Sequence, residues 1–317
     1  AEQRLGYVQA AVELHDRFFR DDLAERLNLG DQSAVASVLR LNASGYRRDE
    51  YGKPYNRVNN IQLIGIDDAF WRFAYLKANR PPALEEGEAL INPRLAEQLG
   101  LQAGDEFRLR IAKPSVLPRD APLSVAEKEI TTSFDLTLAK EISPNSELAN
   151  FSLRPGATAP YNVFVPLSWL QEKAELPERA NGLLAWAAQS TPKELTSQAN
   201  EQLQDVWRLA DAELELLENE EDDAIDLRTD RIFLDAQTLK AANAPLTALT
   251  YIANNLHHGT NATPYSMITG VSSNFLGHIT PTGDNMVITE WLANDLQVKS
   301  GDQITVDYYV LGLNRQL

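Results

Sequence analysis

Leu90-Ile-Asn-Pro-Arg-Leu-Ala-Glu-Gln-Leu-Gly-Leu-Gln-Ala-Gly-Asp-Glu-Phe-Arg-Leu-Arg110 is written a second time, 197 residues on, as Val287-Ile-Thr-Glu-Trp-Leu-Ala-Asn-Asp-Leu-Gln-Val-Lys-Ser-Gly-Asp-Gln-Ile-Thr-Val-Asp307. Six of the twenty-one positions are identical, and most other apolar positions keep their character. A stretch used twice marks a structural unit, and the fold follows from the unit. Leu95, Ala96 and Leu99 fall at helical spacing and predict a short helix with one buried face. Gly100 stands where a left-handed residue ends a helix without Cβ strain. Ala103-Gly104-Asp105 predicts a tight turn, and Phe107, Leu109 and Ile111 then alternate with charged residues as a half-buried strand does. The second copy repeats the pattern through Leu292, Ala293, Leu296, Val298, Gly301, Asp302, Ile304 and Val306. Gly104/Asp105 and Gly301/Asp302 are therefore read as structural corners.

The likeness extends upstream, where Leu63-Ile-Gly-Ile66 lies over Ile268-Thr-Gly-Val271. Working outward, apolar positions between 7 and 27 are spaced for one or two helices. Val35–Leu41 and Ile61–Ile66 read as strands, with Ser44–Asn60 between them as a hairpin loop or projecting arm. Asp67–Leu76 is expected to turn into a helix, and Lys113–Pro122, with three prolines, to form an extended arm. Phe134, Leu136 and Leu138 alternate as a strand. Asn162–Gln171 reads as a strand ending at Pro166, with Ser168 capping the next helix. Gly182–Ala188 is a further strand, and helices are expected over Lys193–Ala210 and Asp235–Ala242. Leu214–Leu216 and Asp226–Leu234 read as two strands joined across Glu218-Asn-Glu-Glu-Asp-Asp223. The first copy continues through the Phe134 and Val163 strands. The second has ten residues beyond its own strand, so a partner strand for it is expected to be missing from this chain or supplied from elsewhere. The abrupt ends of the chain read as those of a piece excised from something longer.

At 317 residues, 44% of them apolar, the chain is long enough for two domains with real cores. Its net charge of −16 argues against binding a nucleic-acid backbone and against docking by a basic face on anionic lipid. With no cysteine there is no disulfide framework, thiolate nucleophile or cysteine-based zinc site. No run of apolar residues approaches the roughly 20 that cross a bilayer.

No G-x-S-x-G elbow, Walker loop, G-x-G-x-x-G or H-E-x-x-H occurs. Neighbouring side chains on an extended segment point apart, so His257-His258 makes a poor metal pair. Asp67-Asp68 and Glu85-Glu86 sit at element ends, where turns and helix starts place acids. The acidic run at 218–223 lacks the alternating ligands and the glycine of a calcium loop. Trp71, Trp169, Trp186, Trp207 and Trp291 read as core residues, or as the lining of a ligand cleft. The 44–60 stretch reads as a plain flexible arm or, through Tyr51, Tyr55 and its arginines, as a partner-contact surface. No catalytic, cofactor-binding or metal-binding residue is assigned, and no enzymatic activity is expected.

Ala89–Leu109, with its Gly-Asp turn, resembles a stretch of the extracytoplasmic domains of FtsX-like (MacB-type) ABC transporter permeases. Tyr161-Asn-Val-Phe-Val-Pro-Leu-Ser-Trp-Leu-Gln171 is similar to the strand and "VPL" turn that follow in those domains, and Ile64-Gly-Ile-Asp67 with Phe70 to the strand just upstream. The resemblance covers residues 35–171 best and reaches the second half through the duplicate. It implies an α+β fold like the MacB-type periplasmic core; the repeat in this chain makes that two related mixed α/β lobes, at 1–190 and 191–317, where the family's common domain is shorter and single. The resemblance also implies a periplasmic or extracytoplasmic location on a membrane-anchored parent that engages a substrate or partner and couples mechanically to a cytosolic ATPase. The partners implied are that ABC ATPase subunit, a second permease copy, and a periplasmic partner protein or lipid-linked substrate, with no cofactor. The L-A-x-x-L-G-L-x-x-G-D pattern also resembles double-psi β-barrels, which implies a cofactor- or nucleotide-binding domain instead. A secreted ligand-binding protein is the third alternative.

Overall fold

The computed structural model describes residues 5–15, 17–49, 51–73, 83–113, 131–144, 146, 149–154, 158–220, 223–229, 231, 234–272 and 283–308. Most of the Lys113–Pro122 arm, the end of the stretch read as a helix over Asp67–Leu76, parts of the Asp226–Leu234 strand, and His278 lie outside them.

Where helices are expected at 7–27, the chain instead makes β1 (Ala10–Glu13), β2 (Phe19–Arg20) and a four-residue helix α1 (Leu23–Arg26). Two long strands follow, β3 (Ser33–Arg48) and β4 (Pro54–Ile66), so the 44–60 stretch is a continuing ladder and not a separate arm. Asp49 closes the hairpin, its Oδ1 accepting from the backbone N–H of Tyr51 at 3.0 Å and Lys53 at 2.7 Å. Beyond β4, Phe70–Phe73 forms a single 3-10 turn.

β5 (Glu88–Ile91) leads into helix α2 (Pro93–Leu99). Asn92 caps this helix by accepting from the N–H of Leu95, and Pro93 takes the first position, where no N–H is needed. Gly100 ends it at φ 67°, and Leu101 N–H returns to the Ala96 carbonyl at 3.0 Å. Gly104 turns at φ 92° and Asp105 Oδ2 accepts from Gln102 N–H at 2.9 Å, the corner expected from the repeat. Strands β6 (Glu106–Ala112), β7 (Thr131–Glu141) and β8 (Tyr161–Pro166) come next, then helix α3 (Leu167–Ala174). Pro166 stands at the start of α3 with no side-chain cap, so Ser168 does not have the capping role expected of it.

Among the described residues, β3, β4, β8, β5, β7 and β6 pair in that order, and β6 returns to β3 to close a ring. The β4–β8 and β5–β7 pairings are parallel and the others antiparallel. Leu39, Ile61, Leu63, Ile91, Leu109, Val163 and Val165 share one core with Leu95 and Leu99 of α2 and Leu170 of α3. Ile64, Ile66, Leu90 and Phe164 point the other way, into a second core with Phe70, Phe73 and Phe151. Burial on both faces is why Leu63–Ile66 and Val163–Val165 are continuous apolar runs instead of alternating ones.

The N-terminal half of β3 carries β10 (Gly182–Ala187), which carries β1; β9 (Arg179–Ala180) pairs with β2. Helix α4 (Pro192–Val206) opens with a capping box, Thr191 accepting from Glu194 N–H and Glu194 accepting from Thr191 N–H. It buries Leu195 and Ala199 against Leu183, Ala185 and Phe19. Because that face belongs to the first unit, the described contacts divide the chain at Glu215/Leu216, later than the 190/191 boundary expected from the sequence.

At the start of the second unit β11 (Glu215–Asn219) pairs with β12 (Ala224–Arg228); residues 221 and 222 of the acidic run lie outside the described residues. Helix α5 (Ala236–Ala242) is capped by Asp235. A hairpin of β13 (Ala248–His258) and β14 (Asn261–Val271) follows, then helix α6 (Glu290–Leu296) and β15 (Thr305–Asp307) on the other side of β13.

This hairpin–helix–strand arrangement shares several contacts with β3–β4, α2 and β6, with one residue more in β13 than in β3 between the two pairs that follow. Leu39 faces Gly65 as Leu249 faces Gly270, and Gly45 faces Leu109 as Leu256 faces Val306. The second hairpin strand carries a left-handed residue at the same place, Asn60 at φ 57° and Tyr265 at φ 53°. Asn56 donates from its side chain to the Leu99 carbonyl at 3.2 Å, and Asn261 to the Leu296 carbonyl at 3.2 Å. Thr289 caps α6 as Asn92 caps α2, Gly301 turns at φ 98°, and Asp302 Oδ2 accepts from Lys299 N–H at 2.8 Å.

Candidate functional site

One hollow in the first unit lies where α1 and the turn before it approach the C-terminal ends of β4 and β8. It encloses about 390 Å³ and is lined by Asp21, Asp22 and Glu25, by Asp67, Asp68 and Trp71, and by Ser168 and Gln171 of α3. Parallel strands put these residues together: β4 and β8 run side by side from Ile61↔Tyr161 to Ile66↔Pro166, so the turns that follow them open at one edge.

Two of these carboxylates are shifted in opposite directions. Burial pushes the Asp67 carboxyl up from its ordinary value; the N–H groups of Phe70 and Ala69 oppose this, and the nearby Glu25 adds to it. Its Oδ1 accepts from Phe70 N–H at 3.0 Å and so starts the 3-10 turn. Asp22 is held below the usual carboxylate range, chiefly by its hydrogen bond from Arg26, with Arg20 also close. Asp21 accepts from Gln171 Nε2 at 2.7 Å, and the same amide reaches the Arg179 carbonyl at 2.9 Å. The hollow is thus acidic beside one indole face. Ser168 lines it with no histidine among the other lining residues, so no hydroxyl–imidazole pair is formed there.

Of the residues singled out in the sequence, Asp67, Asp68 and Trp71 meet here. The other tryptophans do not join them. Trp169 packs on Phe134 at 4.9 Å between ring centres, Trp186 on Tyr7 at 6.4 Å and Trp207 on Phe19 at 6.0 Å, while Trp291 is 66% exposed. Glu85 and Glu86 lie in the turn before β5, with Glu85 N–H donating to Glu88. His257 faces Asp307 at 3.3 Å and His258 Nδ1 lies 2.8 Å from the Gln303 carbonyl, so the pair is split as expected of neighbours on a strand. Among the described residues no group of three potential ligands gathers for a metal. Asp21, Asp22 and Glu25 were not marked from sequence. The Asp-Asp doublet with an acid three residues on was the available signal.

The 44–60 hairpin is tied back to the Gly-Asp corner. Arg47 donates to the Gly100 carbonyl and pairs with Asp105 at 2.9 Å. Arg57 lies over the Tyr46 ring at 5.9 Å, leaving Tyr51 at the tip 81% exposed.

No family model matches the sequence, nor does any curated protein. Among solved structures, the chain is similar to the extracellular domain of the noncanonic ABC-type transporter YknZ from Gram-positive bacteria. That likeness has 12% identity, covers 62% of this chain and 94% of that one, and has a TM-score of 0.38. It is also similar to the periplasmic region of MacB from Actinobacillus actinomycetemcomitans, with 10% identity, 74% of this chain and 90% of that one covered, and a TM-score of 0.37. No described helix is long and apolar enough to cross a membrane.

Proposed function

We propose that this chain is the extracytoplasmic part of an FtsX-like ABC transporter permease, in which one α/β module has been duplicated to give two related lobes. The observation that carries the reading is the meeting of the three stretches that resemble that family. Ile64–Asp67, Ala89–Leu109 and Tyr161–Gln171 are far apart in sequence, yet β4, β8 and β5 are consecutive strands. Leu90 pairs with Phe164 and Ile91 with Val163, and Asn92, the cap of α2, accepts from Asn162 N–H at 3.1 Å and donates to the Pro160 carbonyl at 2.8 Å. The duplication is supported by the paired asparagine contacts, left-handed residues and Gly-Asp corners of the two units.

In this role the chain engages a substrate or partner outside the membrane and relays motion driven by a cytosolic ATPase, without chemistry of its own. A nucleotide-binding barrel is disfavoured because Arg47, from the chain's own hairpin, already occupies the carbonyl and carboxylate of the first corner. The test is hydrogen exchange on the membrane-embedded parent. ATP turnover should change exchange in the 44–60 hairpin, whereas ATP added to the 317-residue chain alone should change nothing. Exchange that is indifferent to turnover refutes the coupling, and protection of the isolated chain by ATP favours the nucleotide-binding reading.

A further inference from the structure

In the first unit, every edge of the ring is filled: β8 lies parallel on β4, and β7 antiparallel on β6. The matching edges of the second unit, Ser266–Val271 on β14 and Thr305–Asp307 on β15, carry no strand among the described residues. Three observations indicate what fits them. Gly65 is a glycine because a Cβ there would stand 3.1 Å from Leu170 Cδ2 and 3.3 Å from the Leu167 Cα, on the helix that follows β8. Its counterpart Gly270 keeps the same gap, and a Cβ there would meet only the Leu249 carbonyl at 3.9 Å among the described residues. Leu39 is 0% exposed and its counterpart Leu249 45%. Finally, Ala89–Ile91 is a strand held between β7 and β8, whereas the corresponding Met286–Ile288 is irregular, with Met286 39% and Val287 53% exposed. A strand with neither ladder partner has nowhere to send its backbone groups except water.

We infer that the second unit is the receiving half of a β-strand complementation. Its occupant is a polypeptide segment built like Thr131–Ala174: one apolar-alternating strand that adds antiparallel to β15, and a second that lies parallel to β14. The second strand ends at a helix start that closes on Gly270. Main-chain hydrogen bonds provide the attachment, and the glycine gap, Leu249 and the 286–288 segment select the partner's side chains. This inference rests on the likeness between the two units and not on the transporter reading, which survives its failure.

The test appends a second copy of residues 131–176 through a flexible linker to the C-terminus of the 317-residue chain and follows amide hydrogen exchange. Exchange at Ser266–Val271 and Thr305–Asp307 should slow by about tenfold or more, and Met286–Ile288 should become protected, with the first unit unchanged. Gly270→Val in the fusion should abolish that protection, while in the unfused chain it should leave exchange as it was. Unchanged exchange in the fusion overturns the inference, as does protection that survives Gly270→Val. Concentration-dependent protection in the unfused chain would assign the edges to a second copy instead, and would overturn it equally.

Discussion

Replacing Asp211 by alanine removes the acceptor for four separate donors. Its side chain is 0% exposed and takes hydrogen bonds from Arg20 Nε at 3.0 Å, Arg20 Nη2 at 2.8 Å, and the backbone N–H groups of Arg20 and Arg208, both at 2.9 Å. Arg20 also reaches the Val206 carbonyl at 3.1 Å, so this one carboxylate joins β2 to the end of α4 and the 3-10 turn Leu209–Ala212. Breaking a buried pair costs about 3–5 kcal/mol, mostly for the charge left behind. Arg20 keeps 16% of its side chain exposed, and that residual hydration puts the expected loss near the lower end, about 3 kcal/mol. For a domain of this size the loss corresponds to roughly a 10 °C fall in Tm. Urea unfolding followed by tryptophan fluorescence is the assay, since Trp207 packs on Phe19 beside the pair.

The pH dependence follows from the same carboxylate. Burial alone would raise its pKa, but the Arg20 guanidinium and the two N–H donors outweigh it and hold the group below the usual range. A depressed acid stabilises the fold above its unfolded value, about 3.9, and that contribution disappears as pH falls through the folded value. Wild type and Asp211→Ala should therefore converge in acid. Arg20→Met combined with Asp211→Ala should recover part of the loss. A single-variant loss below about 1 kcal/mol, or strict additivity in the double variant, refutes the reasoning.

Gly104→Val should cost about 1–3 kcal/mol in thermal unfolding, and Gly301→Val a similar amount in the second unit. Nothing described lies within 4 Å of either added Cβ, so the cost is backbone strain alone and an unchanged Tm would contradict the turn. Gly45→Ala should cost about 1–3 kcal/mol by overpacking, because its Cβ would fall 2.7 Å from Leu109 Cδ2 and 2.9 Å from Ile61 Cδ1; a neutral result would mean that these side chains give way freely. Asp67→Asn should not destabilise at pH 7. Its raised carboxyl costs the folded state while ionised, so any advantage of the amide should fade as pH drops through the folded value, and a loss above about 1 kcal/mol would contradict this.

Local signals carried much of this fold. Gly100 and Gly104 each need positive φ, the apolar spacing of Leu95, Ala96 and Leu99 fits one helix face, and Phe107, Leu109 and Ile111 alternate, so α2, its corner and β6 lie where the repeat places them. β1 was not legible, because Val8, Ala11, Val12 and Leu14 fit helical spacing. The strand exists only because its backbone pairs with Gly182–Ala185, on the far side of the first unit's sequence. The same distance hid the Arg20–Asp211 pair and the meeting of Asp21, Asp22 and Glu25 with Asp67 and Asp68. Ser168 has the right residue type for a cap, but Pro166 already fixes the backbone at the start of α3. The unit boundary shifted because the amphipathic face of α4 says that it is buried but not against which lobe.

The location of the chain is the claim on which the functional account depends most, and the absence of cysteine makes it directly measurable. Tyr51→Cys gives these 317 residues one thiol, at the exposed hairpin tip, and it is tested in the proposed membrane-anchored parent with any cysteines outside them replaced. In intact cells a membrane-impermeant maleimide should label it as fully as after lysis. Labelling only once the cytoplasmic membrane is opened would place the hairpin in the cytosol and contradict the account.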